Sequence, residues 1–169
     1  MTSGTVDPNE RPAGTVTAFI GVGSNVGDRA AHVAFAFDAL DRAAGIRLVR
    51  RSTIHETAPV GPPGQGPYLN AVVELAVSLA PVELLRVLLD IERRCGRDRA
   101  TEIRFGPRTL DLDILTWGAA APGGARIDSP GLVVPHPRMH DRQFVLVPLA
   151  ELDPDLARRA ASAAVHLGE

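Results

Sequence analysis

One cysteine, Cys95, is all that the 169 residues contain, so no internal disulfide forms and a cysteine-built metal cluster is excluded. No run of about twenty apolar residues is present. The longest apolar stretches lie around Ile20 and between Val82 and Ile91, too short to span a bilayer. Nothing resembles a secretory leader, and a cytoplasmic protein without a membrane partner is expected. Net charge is also scarce: a formal −2 gives no whole-molecule attraction to nucleic acid, so any anion site has to be local. Aromatic residues make up only 4% of the chain, which makes the position of each one informative. What is plentiful is ordinary: 45% hydrophobic and 22% charged residues describe a globular chain, long enough for one domain with its own core.

Residues 1–15 hold Gly, Pro, Asp, Asn and Glu without a hydrophobic period and read as a loose tail. One domain, 16–169, follows. Val16 to Val22 is an apolar strand ending in a Gly23–Asp28 turn. Arg29 to Ala44 has Val33, Phe37 and Leu40 on one helical stripe, stopped by Gly45. Ile46 to Glu56 reads as a strand, Thr57 to Pro67 as a Pro/Gly loop, and Tyr68 to Leu79 as a strand. Pro81 opens a second helix through about Arg94, with Leu84, Leu85, Leu88 and Ile91 as its apolar face. A polar, arginine-rich loop then leads into a strand around Asp111 and Asp113. This order is β-α-β-β-α-β, which predicts an α+β, ferredoxin-like antiparallel sheet with both helices on one face. Beyond Gly118 come a Gly/Pro hairpin region and helical stretches over Phe144–Leu152 and Pro154–His166.

The chemistry gathers in Arg104-Phe105-Gly106-Pro107-Arg108-Thr109-Leu110-Asp111-Leu112-Asp113-Ile114. On a strand, Asp111 and Asp113 share one face, opposite Leu110, Leu112 and Ile114. Adjacent carboxylates repel unless something positive sits between them, and a divalent metal is one answer. Mg²⁺ takes one or two carboxylates and completes its shell with water and phosphates. An exposed acidic edge strand is the plainer alternative. Arg93, Arg94, Arg97, Arg99, Arg104 and Arg108 fall within sixteen residues and read either as a salt-bridged helix end or as a phosphate clamp. The turn Gly21-Val22-Gly23-Ser24-Asn25-Val26-Gly27 has the wrong spacing for a dinucleotide fingerprint, and Asn25 or Asp28 reads as a helix cap. His136 and His140 are four apart, but Pro135 and Pro137 argue against the helix a zinc pair would need. Tyr68 with Asn70, on one strand face, and Phe144 suit a flat heterocycle by stacking and edge pairing.

Together these segments resemble the 6-hydroxymethyl-7,8-dihydropterin pyrophosphokinases of folate biosynthesis, from about Ala18 to Leu152. The motifs that carry the likeness are Gly23-Ser24-Asn25, Pro59-Val60-Gly61, Pro67-Tyr68-Leu69-Asn70-Ala71, Gly106-Pro107-Arg108-Thr109-Leu110-Asp111-Leu112-Asp113, and Val134-Pro135-His136-Pro137 with Arg142 and Phe144. The resemblance implies transfer of pyrophosphate from ATP to the pterin hydroxymethyl group, releasing AMP, with loops closing over two small molecules; a monomer is the default expectation. It implies two Mg²⁺ ions on Asp111 and Asp113. ATP contacts are implied at Glu92, Arg99, Arg108, Ile114, His136 and Arg142, with Arg97, Arg99 and Arg108 acting on phosphate in catalysis. Pterin contacts are implied at Thr57, Pro59, Val60, Tyr68, Asn70 and Phe144. The chain departs from the family pattern at Phe105, often Trp, and at Pro137, often Tyr; no lysine occurs between Arg97 and Arg104. A nucleotidyltransferase is disfavoured because Ser24 and Asp111 lie 87 positions apart. A regulatory ligand-binding module of the same fold has no need of Asp111, Asp113, Arg108 and His136 together.

Overall fold

The computed structural model describes residues 11–97, 106–118 and 125–163, and at its centre two strands run antiparallel in unbroken register. They are β1 (Val16–Ser24) and β4 (Tyr68–Val77). Around them the sheet is ordered β2-β4-β1-β5, with β2 at Ile46–Arg51 and β5 at Asp111–Trp117. A short β3 (His55–Thr57) pairs with β4 along the same edge as β2. Each adjacent pair is antiparallel. This is the split βαβ arrangement that the order of elements predicts: α1 (Arg29–Asp41) links β1 to β2, and α2 (Pro81–Arg94) links β4 to β5.

Side chains alternate along β1, and the two faces bury different layers. Ala18, Ile20 and Val22 join Ala71, Val73, Leu75 and Val77 of β4 beneath both helices, where Val33, Phe37, Leu40, Leu84, Leu88 and Ile91 close the core. Each fully buried Leu or Ile there contributes about 2 kcal/mol of apolar transfer. α1 stops near Gly45, whose φ of +77° a residue with a side chain adopts only under strain. The opposite face carries Phe19, Val72 and Leu115. It is covered by α3 (Gln143–Leu152) and α4 (Pro154–Ala163) through Val145, Leu149, Leu152, Leu156 and Ala157. The C-terminal helices therefore complete a second core layer. A hairpin of β6 (Ile127–Ser129) and β7 (Leu132–Val134) sits beside β5, with Leu132 and Val134 in the first core.

The continuous strand expected over Ile46–Glu56 is divided. Ser52 takes over part of the ladder: its N–H donates to the Val72 carbonyl at 2.9 Å, and its Oγ accepts from the Val72 N–H at 2.9 Å. A side chain thus replaces a main-chain acceptor, and β2 ends at Arg51. Arg11, from the segment read as a tail, reaches back to the fully buried Glu74 of β4 and donates Nε to Oε1 at 3.0 Å.

Candidate active site

β5 begins at Asp111, and its alternation sets Asp111 and Asp113 on the α3 side while Leu112 and Ile114 enter the first core. Across the sheet Asp111 pairs with Gly23, which pairs with Asn70, which pairs with His55. Thr57 and Tyr68 pair two positions further out. Thr57, Ala58, Val60, Tyr68, Asn70, Arg108, Asp111, Arg142 and Phe144 line one open recess of about 450 Å³, solvent included. An aromatic and amide wall and an acidic and arginine wall therefore face a common space. Arg142 and Phe144 come from the start of α3, held there by the packing of Val145 and Leu149 on the sheet, and the guanidinium of Arg142 lies 5.6 Å from the Phe144 ring centroid. The Asn70 amide is fixed by donating Nδ2 to Thr57 Oγ1 at 2.7 Å.

The two carboxylates meet the chain's own cations. Asp111 Oδ1 takes Arg97 Nη1 and Arg108 Nη1, each at 2.7 Å. Asp113 Oδ2 lies 3.4 Å from Arg142 Nη1 and 3.7 Å from His136 Nε2. Burial first, then the Asp111 charge, push the Asp113 carboxyl above the ordinary carboxylate range, against the pull of His136, Arg142 and Arg108. Burial likewise holds His136 below the usual imidazole value, opposed by Asp113. The main-chain N–H of His136 donates to the Leu115 carbonyl at 2.8 Å, which fixes the backbone that carries the imidazole. Its Nδ1 accepts from the Arg138 N–H at 3.1 Å, so the neutral ring carries its proton on Nε2, toward the carboxylate. Among the described residues no three His, Cys, Asp or Glu side chains group to hold a metal. Asp111 and Asp113 thus offer the donor set Mg²⁺ shares with substrate phosphates, two carboxylate side chains on one face.

Against this geometry, comparison with known proteins is decisive. The model of the 7,8-dihydro-6-hydroxymethylpterin-pyrophosphokinase family matches residues 19–154. The chain belongs to that family. A 2-amino-4-hydroxy-6-hydroxymethyldihydropteridine pyrophosphokinase of Bacillus subtilis is 44% identical over 146 residues, covering 86% of this chain and 83% of its own. One from Methylorubrum extorquens is 45% identical over 139 residues, covering 82% and 84%. The mitochondrial folate synthesis bifunctional protein of Arabidopsis thaliana is 43% identical over 154 residues, 88% of this chain but 26% of that protein.

The family motifs fall in different places around the recess. Thr57, Val60, Tyr68, Asn70, Arg108, Asp111, Arg142 and Phe144 line it, and Pro59 lies between two lining residues. His136 stands beside Asp113. Arg99 and Phe105 lie outside the described residues. Three of the residues named from the sequence are buried. The Ile114 side chain lies in the first core, and Ile114 pairs with Ile20 across the ladder. Arg97 is 3% exposed, held by Glu92 Oε1 at 2.5 Å and by Asp111. Glu92 is 1% exposed and also accepts the Leu112 N–H at 2.8 Å, so it braces the start of β5 from beneath. Arg97 thus bridges Glu92 and Asp111.

Of the two cap candidates, Asn25 and Asp28, it is Asp28 that caps α1, accepting the Ala31 N–H at 3.0 Å. Asn25 instead ties three loops. It accepts the Arg108 N–H on Oδ1 at 2.7 Å and donates its own N–H to the Arg108 carbonyl at 3.0 Å. Its Nδ2 donates to Gln65 Oε1 at 3.1 Å. The sequence signals were its place in the Gly23-Ser24-Asn25 motif and an Asp nearby that made it redundant as a cap. Asn25→Ala leaves the Arg108 N–H without that acceptor, at about 1–3 kcal/mol. Turnover per bound substrate is expected to fall roughly ten- to a hundredfold as Arg108 loosens; wild-type kcat/KM in steady-state assays would refute the role.

Proposed function

We propose that the chain catalyses Mg²⁺-dependent transfer of pyrophosphate from ATP to the hydroxymethyl oxygen of 6-hydroxymethyl-7,8-dihydropterin, releasing AMP. The observation that carries this reading is the shared recess, where Tyr68, Asn70 and Phe144 face Arg108, Asp111 and Arg142. Tyr68 and Phe144 hold the pterin ring between them, and Asn70, with the chain at Thr57, Pro59 and Val60, pairs its edge. Asp111 and Asp113 are the residues that hold Mg²⁺, two ions on this reading. Bound there, the metal supplies charge stabilisation for the triphosphate. Arg108, Arg142 and His136 meet phosphate oxygens, and Arg99 adds a further guanidinium. Guanidinium suits this task because it stays charged when buried and meets phosphate through two donors.

In the reaction the pterin hydroxyl oxygen attacks the β-phosphorus in line. A new C–O–P linkage forms, the bond from the β-phosphorus to the oxygen it shares with the α-phosphate breaks, and AMP leaves with that oxygen. The hydroxyl proton is released as the new bond forms. Negative charge grows on the bridging and leaving oxygens, where fixed arginines stabilise it most. We place this activity in a single domain from residue 16 onward, working as a cytoplasmic monomer on two small molecules without a nucleic-acid or membrane partner. No helix among the described residues is long and apolar enough to cross a membrane.

The test is AMP formation from ATP, Mg²⁺ and 6-hydroxymethyl-7,8-dihydropterin. AMP that requires both metal and pterin is expected. No AMP, or AMP released equally without pterin, would refute the proposal.

A further inference from the structure

β1 presents Thr17, Phe19, Gly21 and Gly23 in turn to the face that carries the recess, so its side chains vanish where the two walls meet. Gly23 pairs with Asn70 on one side and Asp111 on the other, in the row that joins the amide wall to the acidic wall. Neighbouring strands lie about 5 Å apart, so the two flanking chains stand roughly 10 Å apart with only Gly23 between them. Gly23 is absent from the glycines with positive φ and continues a regular ladder, so its backbone does not demand glycine. Space does. A Cβ at position 23 would lie 3.1 Å from Asn70 Oδ1, 3.7 Å from Tyr68 Cδ1 and 4.0 Å from Asp111 Cβ. The Asn70 oxygen has little freedom to yield, because the amide is buried and its Nδ2 is bound to Thr57.

We propose that Gly23 is a specificity-determining position, whose missing side chain keeps open the strip of sheet over which the 6-hydroxymethyl arm of the pterin reaches the β-phosphate. The inference rests on the pterin reading of the Tyr68 and Asn70 wall and deepens it. A methyl group at 23 does two things at once. It presses the Asn70 amide away from the pterin edge, and it fills the floor between the pterin and the phosphates. Gly21 supplies the control. It lies two residues back on the same face, yet a Cβ there would meet only Leu115, at 3.5 Å, an ordinary contact.

The experiment compares wild type, Gly23→Ala and Gly21→Ala for pterin-dependent AMP formation, for MgATP binding and for melting temperature. Gly23→Ala is expected to raise the KM for pterin about tenfold or more while MgATP affinity stays within about twofold. The contact with Asn70 strains the native state while alanine restricts the unfolded chain, so its melting temperature is expected to stay within a few degrees of wild type. Gly21→Ala should match wild type in pterin KM and MgATP affinity, with a melting temperature equal to or above it. A Gly23→Ala enzyme with wild-type pterin KM overturns the inference, and so does one that loses MgATP and pterin alike. A wild-type protein that makes no pterin-dependent AMP instead overturns the reading on which the inference rests.

Discussion

Asp113→Ala is expected to lower kcat/KM by roughly a thousandfold or more, about 4 kcal/mol of transition-state stabilisation, while the protein stays folded. The first half follows from placement. Asp113 faces Arg142 and His136 on the side of β5 that carries the recess, and it is one of the two carboxylates proposed to hold Mg²⁺. The second half follows from electrostatics. Burial and the neighbouring Asp111 hold the Asp113 carboxyl above its ordinary range, so the free fold disfavours its charge at neutral pH. A group whose folded pKa is raised withdraws stability as pH climbs past its unfolded value, and removing it withdraws nothing. The melting temperature of the metal-free variant should therefore equal or exceed that of wild type. Near-normal turnover would end the metal role of Asp113. A collapse in melting temperature would instead make it a structural residue.

The acid pair, its strand and its two faces were legible because a period of two on a half-buried strand admits one assignment. The helix from Pro81 to Arg94 was equally plain, with proline in its first turn and an apolar stripe that the structure buries as Leu84, Leu88 and Ile91. Arg97 was harder for a physical reason. Six arginines in sixteen residues are indistinguishable by composition, and which head goes inward depends on how α2 ends against β5. There Gly96, at φ +85°, turns the chain so that Arg97 lies back over Glu92. Arg97 therefore lies between Glu92 and Asp111. The break at Ser52 was hidden because it depends on a hydroxyl meeting Val72 on a strand twenty residues away. The second core layer was hidden too: nothing local to Val145, Leu149 or Leu156 says which face of the sheet they cover.

Arg50→Ala should destabilise the fold more than Glu74→Met does, although both remove the same ion pair. Glu74 is fully buried on β4, and Arg50 stands directly across from it on β2, donating Nε to Oε2 at 2.7 Å. Arg11 holds the other oxygen. The two arginines keep 38% and 49% of their side chains in water, whereas the carboxylate keeps none. The desolvation cost therefore sits on Glu74, and the outcome depends on which partner is removed. Truncating Arg50 leaves a buried carboxylate half neutralised, at about 3 kcal/mol. For a chain of this length that is a drop in melting temperature of roughly 6–12 °C. Glu74→Met removes the charge itself, fills much of the same volume and frees two guanidinium groups that already reach solvent. Its cost should stay under about 1.5 kcal/mol. Arg11→Ala should fall between them, because Arg50 still holds one oxygen. Urea and thermal melts of the three variants measure the order directly. If Glu74→Met proves as costly as Arg50→Ala, then the ion pair contributes net stability to the sheet, and the argument from unequal burial is wrong.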